Sequence, residues 1–258
     1  SVCETIKETI DCLNEQGEKL GLIEVHLYRP FSAKYLLNVL PKSVEKIAVL
    51  DRTKESGSHE PLYLDVLDVI KNNRPTIEVI GGRYGLSSKN TTPYQIKAVY
   101  DFLDNPKKFN GFTIGIHDDV TNLSLKEKKF DFDNKAHEML IYGFGSDGMV
   151  SASKDIIKIT GANTKAYTQG YFEYDSKKSG GLTRCHLRFS DSPIRSTYYV
   201  DHPSLVVCTK DTYLNRYFML EKIEENGIFL LNTTKSKEEV LDLYTSKDKK
   251  IIKEKNVK

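Results

Sequence analysis

The four cysteines, Cys3, Cys12, Cys185 and Cys208, never form a CxxC pair, which removes the usual basis for a structural zinc or an iron–sulfur cluster. So few and unpatterned thiols in 258 residues suit a reducing compartment, the cytoplasm or a reduced organelle. No apolar run approaches the roughly 18–20 residues that a membrane span needs. Charge bias is absent too: Lys+Arg 38 against Asp+Glu 36 leaves +2, so no strong field points to nucleic acid or an anionic membrane. The basic excess gathers at the C-terminal end, on Lys247, Lys249, Lys250, Lys253, Lys255 and Lys258, in the manner of a solvated helix face. His26, His59, His117, His137, His186 and His202 show no metal spacing of the HxxxH kind, and no Ser/His/Asp or Cys/His order defines a nucleophile. Asp118-Asp119 and Asp51-Arg52 read as strand-end turn and ion-pair residues. No internal repeat or low-complexity tract is evident. The first residues, SVCETIKETIDCLNEQGEKLG, have the charge of a helix and not of a signal peptide; starting without an initiator Met and inside helical periodicity, they suggest a piece cut from a longer chain.

What remains is sufficient for packed cores: 39% hydrophobic residues beside 29% charged, in a length that suits one large domain or two ordinary ones. In the first half, helical spacing over 1–17 precedes strand-like LIEVHLY (22–28) and a helix from Ser32 to Leu40. KIAVLDR (46–52), a helix over 61–72, TIEVIGG (76–82), a helix from Pro93 to Leu103 and FTIGIHDDV (112–120) follow. Strands rich in β-branched residues alternating with helices imply βαβ units and a mainly parallel sheet. Between Thr121 and Asn134 the composition turns polar, as in an interdomain linker.

The second half repeats the alternation. EMLIYGFG (138–145) predicts a strand, GMVSASKDIIKITG (148–161) a helix, and AYTQGYFEYD, RCHLRFS and SLVVCT three more strands. A helix over 211–225 and strand GIFLLN (227–232) come next, and Ser236 with Glu239 has capping-box spacing. The expected fold is α/β: two doubly wound, mainly parallel-sheet, three-layer domains at 1–124 and 135–258, joined by a linker at 125–134, the second domain truncated.

Gly143-Phe144-Gly145-Ser146-Asp147-Gly148 is a literal GxGxxG between a strand and a helix. Glycines there allow a tight turn and close approach of an anion, and the helix N-terminus offers free N–H groups; the alternative is a glycine-rich turn that merely packs. A dinucleotide fingerprint wants an acidic residue about 20 positions on. Asp175 comes 27 after Gly148 (175 − 148) and is followed at once by Ser176-Lys177-Lys178-Ser179-Gly180-Gly181, a loop better suited to phosphate than to a bare ribose. Two such loops at one sheet edge would hold a phosphorylated adenosine, with solvated surface lysines as the alternative.

Longer blocks carry a family likeness. Leu27-Tyr28-Arg29-Pro30-Phe31, Ala48-Val49-Leu50-Asp51-Arg52-Thr53-Lys54-Glu55, Glu60-Pro61-Leu62-Tyr63-Leu64-Asp65-Val66, Gly81-Gly82-Arg83-Tyr84-Gly85-Leu86-Ser87-Ser88-Lys89 and Asp118-Asp119-Val120-Thr121 resemble the transketolase C-terminal-like domain of pyruvate:ferredoxin and pyruvate:NADP oxidoreductases. Gly145-Ser146-Asp147-Gly148, Tyr174-Asp175-Ser176-Lys177-Lys178-Ser179-Gly180-Gly181, His186-Leu187-Arg188-Phe189 and Pro193-Ile194-Arg195-Ser196-Thr197-Tyr198 resemble the γ-type domain of the same enzymes, in the same order.

The resemblance implies an internal fragment, inactive alone, of an enzyme that oxidatively decarboxylates pyruvate to acetyl-CoA. In that enzyme thiamine diphosphate, magnesium and iron–sulfur clusters belong to domains outside these residues. Electrons pass to ferredoxin, flavodoxin or a fused NADP reductase. The first domain would pack within the homodimer beside the remaining domains of the parent chain, and the γ-type domain would contribute to coenzyme A binding. Gly145, Ser146, Asp147, Gly148, Lys154, Asp175, Lys177, Lys178 and Ser179 are the candidate contacts. Where the family has Thr-Val-Gly-Ala-Asn-Lys, this chain has Met149-Val150-Ser151-Ala152-Ser153-Lys154, so a hydroxyl and an amide are lost while Lys154 remains. The rival readings are an NAD(P)-binding Rossmann-type oxidoreductase domain and a purely structural fragment.

Overall fold

The computed structural model describes residues 2–118, 120–174 and 181–258. It divides into two units: Ser1–Phe132 with Arg195–Tyr198, and Asp133–Ile194 with Tyr199–Lys258. The first therefore runs through most of the polar stretch after Thr121 and takes in four residues from the later sequence.

In the first unit α1 (Val2–Glu15), α2 (Ala33–Val39), β1 (Lys46–Asp51), α3 (Pro61–Asn73), β2 (Glu78–Arg83), α4 (Pro93–Leu103) and β3 (Phe112–Thr113) follow in order. The sheet is parallel, in the order β1-β2-β3. Alternation along β2 sends Val79 into a core with α2 and α3 (Leu36, Tyr63, Val66, Ile70) and Ile80 into one with α1 and α4 (Ile6, Ile10, Ile96, Phe102). The result is three layers, because each sheet face is apolar and must be covered. Helix starts are chemically marked. Thr92 and Gln95 close a capping box ahead of Pro93, and the Asp51 carboxylate accepts from Leu62 N and Tyr63 N at 3.1 and 3.3 Å, at the start of α3.

Two adjacent glycines decide how closely these layers approach. A Cβ on Gly81 would lie 2.7 Å from the Tyr63 ring, and one on Gly82 would lie 2.2 Å from the Phe112 ring. Side chains there would displace aromatic rings that fill the cores on opposite sheet faces.

Three expectations for irregular segments fail. Residues 22–28 are not a strand. Among the described residues it pairs with no strand, and Leu27 is 70% exposed; the segment is fastened by side chains instead, Lys7 to Glu24 at 2.8 Å and Tyr100 Oη to Gly21 O at 3.1 Å. The strand expected over 112–120 shrinks to Phe112–Thr113, because Gly115 at φ +79° turns the chain away. Residues 211–225 form a short 3₁₀ turn, Asp211–Tyr213, and a series of i→i+3 turns. Met219 lies off the stripe that a straight helix would bury with Tyr213 and Leu220, and the broken path lets all three reach the core.

The unit closes with Arg195–Tyr198 lying on α1. Arg195 donates to Asp11 at 2.7 Å, Ser196 and Tyr198 donate to the two oxygens of Glu8 at 2.7 and 3.0 Å, and the hydroxyls of Thr197 and Thr5 are 2.7 Å apart.

In the second unit β4 (His137–Phe144), α5 (Met149–Asn163), β5 (Tyr167–Tyr174), β6 (Leu182–Ser190), β7 (Leu205–Cys208), β8 (Ile228–Leu231), α6 (Lys237–Leu243) and α7 (Ser246–Glu254) build a five-stranded sheet in the order β5-β6-β4-β7-β8. The α/β class stands and the sheet is mixed: β6 alone runs against the other four. One face packs on α5 through Ile141, Met149, Cys185 and Leu187. The other packs on the 213–223 turns, α6 and α7 through Leu140, Tyr142, Val206 and Cys208. Ser236 and Glu239 form the expected capping box. Among the described residues no helix is long and apolar enough to cross a membrane.

A buried polar row ties three strands together. Glu138, Arg188 and Gln169 face one another across β4, β6 and β5. Arg188 Nε donates to Glu138 at 2.6 Å and Nη1 to Gln169 at 3.1 Å. The other Glu138 oxygen accepts from Asp201 N and His202 N at 3.0 and 2.9 Å, and Asn134 donates to the first at 2.8 Å. Burial of a carboxylate costs several kcal/mol, and only a full set of donors offsets it.

Two outcomes follow for urea denaturation of the chain. Gly82→Ala should lower stability by about 1–3 kcal/mol through overpacking, whereas Gly21→Ala, whose added Cβ would meet nothing within 4 Å, should stay within about 0.5 kcal/mol. Arg188→Ala should cost about 3–5 kcal/mol by leaving Glu138 buried without its charge partner; an unchanged midpoint would mean that the pair does not hold the sheet.

Candidate functional site

Eight residues of β4 end at Phe144, and the next four make the turn into α5. Ser146 at φ +73° and Gly148 at φ +84° are both left-handed, conformations that cost a serine about 1–3 kcal/mol and persist only where the surroundings enforce them. Asp147 supplies that enforcement. Its carboxylate accepts from Phe144 N at 3.1 Å, from Met149 N at 2.8 Å and from Thr209 Oγ1 at 2.8 Å. Gly143 admits this arrangement, since a Cβ there would lie 2.4 Å from Asp147 Oδ2. The amides of Gly145, Ser146 and Gly148 take no part in the Asp147 bonding, and these three residues are exposed while Asp147 is half-buried.

The turn stands at a change of direction in the sheet. β4 and β7 are neighbours and parallel. The helix after β4 packs on one face and the turns after β7 pack on the other. Their C-terminal ends therefore open into the crevice where ligands bind in open α/β sheets. On the β7 side of that crevice stand Thr209, bonded to Asp147, and Lys210, exposed with its Nζ 5.0 Å from the Phe144 ring centroid. Asn232 after β8 donates to Thr209 O at 3.3 Å, and Thr233 to Asp211 at 2.8 Å, so three strand ends are knitted together. A glycine turn, a helix N-terminus and a nearby ammonium suit an anion.

The nine residues singled out from the sequence fare unequally. Gly145, Ser146, Asp147 and Gly148 form the turn. Lys154 lies further along α5, with its Nζ 5.5 Å from the Phe172 ring of β5. Asp175, Lys177, Lys178 and Ser179 lie outside the described residues. Sequence reasoning missed Thr209 and Lys210. The triplet Cys208-Thr209-Lys210 at a strand end was visible, but only the strand order places it beside Asp147.

Metal chemistry finds no matching donor set. Among the described residues, no group of three or more His, Cys, Asp or Glu side chains could hold an ion. Cys185 and Cys208 are fully buried in cores on opposite sheet faces, and burial pushes both thiols up, away from the thiolate that ligation needs. These residues do not fit an iron–sulfur cluster.

The features define an open α/β domain with a glycine turn at its switch point, and a further α/β unit built on a three-stranded parallel sheet. Residues 138–257 match the family described as pyruvate ferredoxin/flavodoxin oxidoreductase, and residues 1–96 match pyruvate:ferredoxin oxidoreductase core domain II. The chain is 53% identical over 243 residues to the pyruvate:ferredoxin oxidoreductase of Moorella thermoacetica, covering 93% of this chain and 21% of that protein. It is 52% identical over 248 residues to the probable pyruvate-flavodoxin oxidoreductase of Escherichia coli K12, with the same two shares, 93% and 21%. With a putative pyruvate-flavodoxin oxidoreductase of Synechocystis it shares 46% over 262 residues, 100% of this chain and 22% of that one. Among solved structures, the pyruvate oxidoreductase subunit PORC of Thermotoga maritima aligns with a TM-score of 0.37 and 28% identity, over 43% of this chain and 57% of that one. The chain belongs to the pyruvate:ferredoxin/flavodoxin oxidoreductase family and spans about a fifth of the length of the Moorella, Escherichia and Synechocystis relatives.

Asp147→Ala should release the Phe144 and Met149 amides and the Thr209 hydroxyl together, lowering stability by about 1–3 kcal/mol. In hydrogen exchange the Met149 amide should lose protection more than amides in the middle of β6; equal loss at both would mean that Asp147 holds the whole unit and not the turn.

Proposed function

We propose that this chain is the portion of a pyruvate:ferredoxin- or flavodoxin-type oxidoreductase that helps to hold coenzyme A, its first unit serving as a scaffold in the dimer. The reaction of the parent enzyme is oxidative decarboxylation of pyruvate to acetyl-CoA, with electrons leaving to ferredoxin, flavodoxin or a fused NADP reductase. Family membership supports the reaction class, since the relatives are named for pyruvate and for ferredoxin or flavodoxin. Thiamine diphosphate, with magnesium, would supply the stabilised carbanion and the iron–sulfur clusters the electron path, both outside these residues. The setting is a reducing one, cytoplasm or an organelle of an anaerobe.

The observation that carries the coenzyme A role is the glycine turn at the switch point, braced by Asp147 and faced by Lys210. In this reading the amides of Gly145, Ser146 and Gly148 meet phosphate oxygens, and Asp147 orients the turn without touching the ligand. The Asp175–Ser179 stretch follows the edge strand β5 in sequence, and Lys177, Lys178 and Ser179 meet the 3′-phosphate. Lys154, whose Nζ lies over Phe172 of that strand, adds positive charge there. Charge-assisted contacts to phosphate explain why two adjacent lysines in a Ser/Gly-rich stretch would be used.

Calorimetric titration of the chain tests this. Coenzyme A should bind, dephospho-coenzyme A should bind about tenfold or more weakly, and Lys177→Ala/Lys178→Ala should erase that difference. Absence of heat at about millimolar coenzyme A would make the chain a scaffold only, and binding of NADP but not coenzyme A would reassign the second unit to a dinucleotide.

A further inference from the structure

His186 is buried on β6, 4% exposed, between Leu140 of β4 and Tyr171 of β5 in the register of the sheet. Its ring stacks on Tyr199 with centroids 4.8 Å apart and planes within 14°. Its Nδ1 accepts from the backbone N–H of Val200 at 3.1 Å. An amide can only donate, so Nδ1 must carry its lone pair, and the proton of the neutral ring sits on Nε2. That nitrogen lies 3.5 Å from Glu173 Oε2. The Val200 N–H thus fixes the tautomer, and the buried Nε2–H faces Glu173 without closing a hydrogen bond to it.

Charging this histidine requires a second proton on Nδ1, the position that faces the Val200 N–H. Two hydrogens cannot share that space, so the charged ring and the Val200 bond exclude each other. The same short segment, Tyr199–His202, is held at its far end by the Asp201 and His202 amides on Glu138. We infer that His186 is a proton-operated latch: neutral, it fastens the segment Tyr199–His202 to the sheet, and protonated, it releases Val200 and unstacks Tyr199.

The charged surroundings set the pH range. From β5, Glu173 favours the charged ring; from β6, Arg184 and Arg188, two positions either side of His186, oppose it. Glu173 is itself engaged by Arg184 at 3.0 Å, and Arg188 by Glu138 of β4. From β5 and the latched segment, the phenol rings of Tyr171 and Tyr199 pack on the imidazole. Asp201 and His202 follow in the segment, Asp201 paired with Lys222 and His202 half-exposed, its Nε2 3.6 Å from Asp201. Burial, the largest influence, pushes His186 below the usual histidine value, with Glu173 opposing. A group depressed on folding in this way is neutral in the folded chain and charged in the unfolded one at mild acidity. Its contribution to stability is therefore complete above the unfolded value and declines as pH falls below it.

Hydrogen exchange followed by NMR between about pH 7.5 and 5 tests the latch. After correction for intrinsic exchange chemistry, protection of the Val200 amide should fall about tenfold per pH unit as pH drops toward the midpoint at which the His186 ring signal titrates, and be lost below it, while the Leu187 amide in mid-sheet stays protected. His186→Asn, which keeps an acceptor but cannot titrate, should abolish the pH step, and His202→Gln should keep it. The inference is overturned if His186 titrates with Val200 still protected, or if the step persists in His186→Asn. Should that variant fail to fold, coincidence of the two wild-type curves decides alone.

Discussion

One buried carboxylate organises the second unit. Glu138 receives a guanidinium, a side-chain amide and two backbone amides, from β6, from Asn134 just ahead of β4, and from the segment after Tyr199. Without these four donors a carboxylate at 3% exposure would be untenable. With them, the pairing of β4 and β6 has one register only, because a slip of one residue would turn Glu138 and Arg188 to opposite faces. That register carries the alternation of Leu140, Tyr142 and Ile141 between the two cores, and it delivers Gly143–Gly148 to the strand end where α5 begins. The glycine turn is therefore positioned by electrostatics some seven residues upstream as much as by its own glycines.

Local chemistry explains what was readable from the residues. The GxGxxG stretch, the Thr92 and Ser236 caps and the strands of β-branched residues act through neighbours in sequence, so their structural meaning is visible there. Fold class followed from the alternation of periods. Long-range facts were hidden. Nothing in Leu182–Ser190 announces that β6 runs against its neighbours. Likewise, Thr209 and Lys210 are unremarkable until β7 is known to lie beside β4. The stretch at 22–28 misled for the converse reason: Ile23, Val25 and Leu27 have strand character, but side-chain contacts fasten the segment and it joins no sheet. At 211–225 the apolar spacing suggested a helix, and tertiary packing of Met219 prevailed over it.

The site and the latch divide the sheet between them. At the strand end the exposed groups are backbone amides of the glycine turn and the surface Lys210. Further back along β4, the Leu140–His186–Tyr171 row places a titratable ring against the segment that also rests on Glu138. The proposed anion site and the proposed latch thus draw on different chemistry on one scaffold, and a change in either can be made without rebuilding the other.

The four residues Arg195–Tyr198 have a consequence for biosynthesis. Their partners on α1 are 184 to 192 positions earlier in the chain. At a translation rate of about 5–20 residues per second, α1 waits roughly 10–40 s for them. During that interval Thr5, Glu8 and Asp11 have no strap, while the β1–β3 sheet and its helices are already complete in sequence. The nascent first unit must therefore persist with one helix face open, and its closure is timed by synthesis of about half of the second unit, which makes the order of emergence from the ribosome part of how this chain reaches its native contacts.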